Sequence, residues 1–395
     1  MVLTGLDRLV SDEKLQNQFS GQVALLAHNA SIDQHGLHAV QVFKRLFGDR
    51  FIKLFGPQHG FMTADQDNMI ETDHAIHPYF RIPVYSLYSE TRVPTDTMLQ
   101  GIDHLFVDLQ DIGSRMYTYA YTLTLLLEKC AARDIEVIIL DRPNPINGLD
   151  VEGNVLDPAY ASFIGRHPLP VRHGLTIGEV ALMHQKFWAT DPANLQVIPM
   201  LGWQRDMYYS DTQLPWALPS PNIARPESAL IFLATVIWEG TIWSEGRGTT
   251  QPFEVFGHPG LEPYRFYDQL VEPAIRQSGL SGFTLRPVVF KPTFHKQSGL
   301  ACGGFQVQVL DRSRFKPWRT GQFIMQTIFQ PLREEFQWLE PPYEYVYDRL
   351  PIDIINGTDQ IRHWIESGQA LDELEAMEQL EDYLTMRNEV MLYRE

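Results

Sequence analysis

Residues 105–140 read LFVDLQDIGSRMYTYAYTLTLLLEKCAARDIEVIIL. Leu105–Leu109 is a short apolar run, Tyr117–Ala132 carries apolar residues at three- and four-residue spacing, and Glu136–Leu140 is a second apolar run. Strand, helix and strand in that order form a crossover, the connection that parallel strands require. Working outward, Gln22–Ala27, Phe51–Phe55 and Val84–Leu87 repeat the strand pattern, and Leu37–Phe47 is amphipathic with helical period. The expected fold is therefore α/β, with a Rossmann-like parallel sheet covered on both faces. Beyond about Gly202, Pro and Gly become dense. Gly304–Leu310 alternates as a half-exposed strand does, and helical pattern resumes at Pro317. Glu366–Asp382 holds acids and no Lys or Arg, which reads as one solvated amphipathic helix. This divides the chain into a Rossmann-like α/β domain over 1–200 and a smaller α+β domain over 201–395.

The 395 residues are 44% apolar and 21% charged, which are globular values, with a formal net charge of −17. That sign repels phosphate backbones and anionic lipid, so neither nucleic acid nor a membrane surface is an expected partner. No apolar run approaches a membrane span, and the first residues lack a signal-peptide pattern, so a cytoplasmic location is expected. The two cysteines, Cys130 and Cys302, form no ligand spacing and suit a reducing compartment. Phosphate-loop, dinucleotide-fingerprint, H-E-x-x-H and G-x-S-x-G signatures are all absent, and no cofactor is expected. The thirteen histidines are scattered without acids at ligand spacing, so no metal site is expected.

Ligands of such sheets gather at the carboxyl ends of the strands. Gly56-Pro-Gln-His-Gly60 follows one strand directly, and its glycines allow a sharp turn that places Gln58 and His59 at the sheet edge. A turn whose polar groups merely cap backbone is the equal alternative. Asp108-Leu-Gln-Asp111 ends another strand. Asp111 and Arg115 could hold each other to face a hydroxyl-rich ligand, or form a structural pair supporting the loop. Thr176 and Glu179 match a capping box, which needs no chemistry, but the Arg172-His173 pair before them is not required by a cap. Ser244-Glu245-Gly-Arg247-Gly-Thr-Thr250 mixes glycines, an acid, a base and hydroxyls as an anion-binding loop does.

FGPQHG (55–60), PVYSLYSETRVPT (83–95), VDLQDIGSRMYTY (107–119), SFIGRHPLPVRHGLTIGE (162–179) and EGTIWSEGRGTTQPFE (239–254) together resemble the NamZ-type exo-β-N-acetylmuramidases. The resemblance runs from Gly5 to beyond Arg349 and keeps the motifs in order. It implies a Rossmann-like domain joined to a smaller domain, a cleft between them, and removal of N-acetylmuramic acid (MurNAc) from the non-reducing end of a peptidoglycan-type glycan. It also implies catalysis at position 58 and at Glu179, with His59, Asp111, Arg115, Tyr117, His173, Asn222, Glu245 and Arg247 binding sugar. Arg247 and His173 would take the lactyl carboxylate or acetamido group, and Asp111 and Arg115 the ring hydroxyls.

One departure stands out. The family motif usually reads F-G-P-E-H-G with a proposed catalytic glutamate, and this chain carries Gln58. The stretch Asp65–Glu71 also differs from the usual text. An amide cannot ionise, so Gln58 serves as neither acid nor base. Three readings stay open: another rim acid, Glu71 or Glu90, takes over; the substrate's acetamido group attacks while Glu179 supplies the proton; or the cleft is that of a non-catalytic amino-sugar-binding protein.

Overall fold

The computed structural model describes residues 1–66 and 69–393, so Asp67 and Asn68 of the departing stretch lie outside it. The strands are β1 (Val23–Ala27), β2 (Phe51–Gly56), β3 (Ala75–Ile76), β4 (Pro83–Ser86), β5 (His104–Asp108) and β6 (Glu136–Leu140). A hairpin of β7 (Glu152–Val155) and β8 (Pro170–Arg172) follows, then β9 (Asn194–Ile198), and β10 (Val255–His258), β11 (Phe283–Phe290) and β12 (Cys302–Val309) complete the set. The main sheet runs β3-β4-β2-β1-β5-β6-β9, parallel throughout except for the short edge strand β3. The strand order reverses between β1 and β5, which is where an open α/β sheet offers a ligand crevice.

Strict alternation divides the buried strands between two cores. Leu25, Phe106 and Ile138 are in register and face one layer with Phe43 of the helix Ala39–Phe47. Their neighbours Leu26, Val107 and Ile139 face the opposite core. That second core continues without interruption into Trp238, Phe305 and Ile328, so the two lobes share one apolar interior.

The second lobe corrects two expectations. β12 is the central strand of β10-β12-β11 and is buried along most of its length, whereas its neighbour β11 is the half-exposed one. Phe305 and Val307 pack inward, and Gly303 and Gly304 leave no side chain to face water. The acidic tail is three short helices rather than one: Gln360–Ser367, Leu371–Ala376 and Glu381–Asn388. Gly368 with φ +70° ends the first of them.

The tail then returns to the first lobe, and this decides the place of Glu179. Thr176 caps the helix Ile177–Met183 through the reciprocal capping box with Glu179. The Glu179 carboxylate also accepts from Arg205 Nη1 at 2.7 Å and Nη2 at 3.2 Å, and from the Leu392 N–H at 2.9 Å. Both side chains of the pair are fully buried. Tyr393 donates to Asp141, whose carboxyl burial pushes up to about 7. All lone pairs of Glu179 thus serve the fold. The expected catalytic proton donor is a structural anion, and the capping reading prevails.

Removing one partner of a buried ion pair strands the other charge, at a cost of about 3–5 kcal/mol. Glu179→Gln is therefore expected to lower the melting temperature by many degrees, and Arg205→Met with Glu179→Gln to recover part of that loss. Thermal unfolding followed by circular dichroism checks both.

Candidate functional site

A pocket opens at the carboxyl ends of β2 and β5, where the second lobe covers the sheet edge. The space inside it is about 550 Å³ when the open mouth is counted, much of it continuous with solvent. From the first lobe come Gln58, His59 and the segment Met116–Tyr119, with Ile164. Ser220, Glu239, Arg247, Tyr343 and Glu344 face them from the chain beyond β9.

The turn after β2 works as its sequence suggests. A Cβ on Gly56 would lie 2.7 Å from the Phe61 nitrogen, and His59 and Gly60 both take positive φ, so the chain doubles back tightly. Gln58 is nearly buried, and its Oε1 accepts from Thr118 Oγ1 at 2.6 Å. That fixes the amide orientation and leaves its NH₂ as the group offered to a ligand. His59 Nδ1 lies 2.7 Å from the Asp65 carbonyl and Nε2 lies 3.4 Å from Ser220 Oγ. Burial lowers its pKa to about 4, so at neutral pH the ring is uncharged, with Nδ1 donating and Nε2 accepting.

The opposite wall is a chain of buried charges. Arg247 Nη1 reaches Glu239 Oε1 at 2.5 Å and Glu245 Oε1 at 3.1 Å. Glu245 in turn meets Lys296 at 2.6 Å and His295 at 3.1 Å. Burial opposes the charge on Arg247, but the two glutamates hold its pKa above the usual range. Glu245 is likewise held well below the usual carboxylate range against burial, chiefly by Lys296. Tyr343 donates to Glu239 Oε2. Two acids and two bases cancel along this chain.

Glu344 has no such cation. It takes a hydrogen bond from Tyr88 at 3.1 Å, and burial first, then Glu239, raises its carboxyl to about 7. It is the pocket carboxyl that carries a proton near neutrality.

The remaining expectations divide cleanly. Tyr117 and Arg247 line the pocket together with Gln58 and His59. Glu245 stands behind Arg247, fully buried. Asn222 lies beside the lining residues Ser220 and Ile223, and donates to the Gln66 carbonyl at 2.6 Å. Arg115 does not pair with Asp111. Its guanidinium is buried and donates to the carbonyls of Asn154, Leu169, Ile355 and Asn356, tying the β7–β8 hairpin to the second lobe. Asp111 instead accepts from the Gly113 N–H and lies 3.5 Å from His173 Nε2. His173 is wholly buried, and neither it nor Asp111 lines the pocket. Glu71 is half exposed in a neighbouring hollow, against Arg92 and Tyr345, and Glu90 is an exposed partner of His74.

Glu239 and Glu344 are the residues that sequence reasoning missed. Glu239 opens the segment EGTIWSEGRGTTQPFE, so its signal was present, six residues ahead of Glu245 in the same motif. Glu344 sits in an irregular loop at φ +44° and carries no local pattern.

Comparison with known proteins agrees with this architecture. The N-terminal family model of the exo-beta-N-acetylmuramidase NamZ matches residues 23–227, and the C-terminal model matches 230–393. The chain is 38% identical over 373 residues to the peptidoglycan beta-N-acetylmuramidase NamZ of Bacillus subtilis strain 168, covering 94% of this chain and 86% of that protein. Crystal structures of two DUF1343 family proteins from Bacteroides fragilis superpose with TM-scores of 0.85 and 0.74, at 29% and 26% identity over 100% of this chain and 99% of each of theirs. With both halves matched in order and a two-lobed fold in common, the chain belongs to the NamZ exo-β-N-acetylmuramidase family.

Proposed function

We propose that this chain is a glycosidase that releases MurNAc, or a closely related amino sugar, from the non-reducing end of peptidoglycan-derived fragments. The observation that carries the reading is the Glu344 carboxyl, held near pKa 7 in the pocket of a family with this activity. A carboxyl poised there gives up a proton and takes one back at working pH.

With Gln58 in place of the usual acid, the substrate supplies the nucleophile. The acetamido oxygen bonds to the anomeric carbon as the glycosidic bond breaks, and the Glu344 proton goes to the leaving oxygen. Water then attacks the anomeric carbon, the acetamido bond reopens, and the Glu344 carboxylate receives the water's proton. The Gln58 NH₂ orients the acetamido group, and Tyr117 and neutral His59 bound the sugar. Arg247 already faces two carboxylates, so it contributes directed N–H donors to the lactyl group rather than net charge. We further propose that the substrates are soluble fragments met in the cytoplasm. Two unpaired, buried cysteines are consistent with a reducing compartment, and no helix among the described residues is long and apolar enough to cross a membrane.

Release of para-nitrophenol from a MurNAc glycoside tests the assignment. Glu344→Gln is expected to cut kcat by about 10²–10⁴-fold, because the amide keeps the Tyr88 hydrogen bond but has no proton to donate. Tight binding without turnover by the parent chain, across a panel of amino-sugar glycosides, would overturn the hydrolase reading in favour of a binder.

The pH profile is a separate check. Deprotonation of Glu344 removes the acid, so kcat/KM is expected to fall as pH rises through about 7. Gln58→Glu adds an anion to the same pocket and is expected to move that limb to higher pH. Stability carries the same signature: the folded carboxyl titrates above the ordinary glutamate value of 4.5, so the folded state binds more protons between there and about 7. Asp141 and Glu152, also raised to about 7, contribute in the same sense, so the loss of stability with rising pH across that window should be smaller in Glu344→Gln than in the parent by the share of one carboxyl.

A further inference from the structure

Fourteen ångströms or so along the helix Tyr119–Ala131 from the pocket, at about 1.5 Å per residue, Glu128 meets two histidines from other elements. His167 comes from the loop between β7 and β8, and His184 from the turn that follows the helix Ile177–Met183. One ligand atom from each of the three lies within 4.8 Å of the other two. His184 Nδ1 is 3.3 Å from His167 Nε2, and its Nε2 is 3.8 Å from Glu128 Oε1. An ion takes one nitrogen from each ring, and His184 offers Nε2: bonds of about 2.0–2.1 Å set tetrahedral ligands about 3.3–3.4 Å apart, so Glu128 Oε1 closes on His184 Nε2 from 3.8 Å when the ion binds.

Three features point to a ligand rather than to a hydrogen-bonded cluster. His184 is 1% exposed, and its Nε2 is buried without a hydrogen-bond partner, a deficit that an imidazole held only for packing would not need. The chain at His184–Trp188 is π-helical, a rare local widening that recurs at functional sites. That turn also brings Trp188 flat against His167, with ring centroids 4.5 Å apart and planes within 11°, so the ligand ring is held in orientation. Arg166 is the counterweight: its Nη2 holds both Glu128 oxygens at 3.2 and 3.1 Å, and its Nη1 donates to Thr124. Its side chain is a quarter exposed, so it can swing outward to release the carboxylate.

We propose that Glu128, His167 and His184 form a binding site for a divalent transition metal, with Zn²⁺ the ion that two imidazoles and one carboxylate suit best. The ion staples the β7–β8 loop, which carries the pocket residue Ile164, onto the two helices beneath it. It stands away from Glu344 and has no part in bond cleavage. The sequence does not reveal it because the ligands are far apart along the chain and come from three elements.

Metal-stripped protein titrated with ZnSO₄ by calorimetry is expected to bind one ion per chain with a rise in melting temperature, and Co²⁺ to give the visible bands of a tetrahedral N,O site. Glu128→Gln and His167→Ala should each weaken binding by about tenfold or more, while Arg166→Gln should strengthen it by freeing the carboxylate. Both Glu128 and His167 retain solvent contact, so these variants keep the proposal testable should His184→Ala fail to fold. Absence of Zn²⁺ binding at 100-fold molar excess, or stoichiometric binding that survives both ligand variants unchanged, would refute the site.

Discussion

The pocket depends on a buried ion chain, Glu239–Arg247–Glu245–Lys296, because it builds one whole wall from charges already committed to one another. Charges buried in this way persist only when each is paired and hydrogen-bonded. Here each charge has a counter-charge and the chain is held at both ends: Lys296 also donates to the carbonyls of Trp238 and Thr241, and Tyr343 closes on Glu239. Since the two cations are spent on the two anions, none is left to ionise Glu344. Arg92 is nearby but lies over the Tyr88 and Tyr345 rings at 4.1 and 4.5 Å, and its lowering effect is outweighed by burial. A neutral acid beside a satisfied ion pair is how one site keeps carboxyls in two protonation states at one pH.

Gln58 acquires its meaning in that setting. A carboxylate at its position would add another anion to a pocket whose cations are already committed. The amide occupies the same turn, keeps the Thr118 hydrogen bond and offers a donor in place of a charge. The chemistry then needs only one protein carboxyl that exchanges a proton, provided that the substrate brings its own nucleophile. In the proposed mechanism this links the substitution at position 58 to the amino sugar, because a sugar without the 2-acetamido group would bring no attacking atom.

Much of the scaffold was legible because it rests on local periodicity. The crossover at residues 105–140, the strand ends and the turn after β2 all follow from apolar spacing and glycine placement, and they deliver Gln58, His59 and Tyr117 to the pocket. What failed was inference from nearness in sequence. Asp111 and Arg115 are four residues apart yet have separate partners, since Arg115 is pulled to four carbonyls contributed by distant segments. Glu179 looked chemical beside Arg172 and His173, but its cation, Arg205, lies 26 residues on. Glu344 could not be read at all, because its environment is assembled by Tyr88 and Glu239 from other parts of the chain.

The same tertiary closure explains why the site occupies only some of the strand ends. Asp141, at the end of β6, is covered by Tyr393 and by the capped helix of Glu179, so that exit is sealed by the returning tail. At the end of β1, His28 is fully buried and accepts from the Gln110 N–H, which closes the second exit with the backbone leaving β5. Asp108 is locked bidentately by Arg142 at 2.5 and 2.8 Å. The chain leaving β2 and the segment that leads from β5 to its helix present polar side chains to the pocket. The second lobe therefore has to bring its acids to that one opening. The tail seals one neighbouring exit and the chain leaving β5 seals another, and together they select which edge of the sheet becomes the place where chemistry is done.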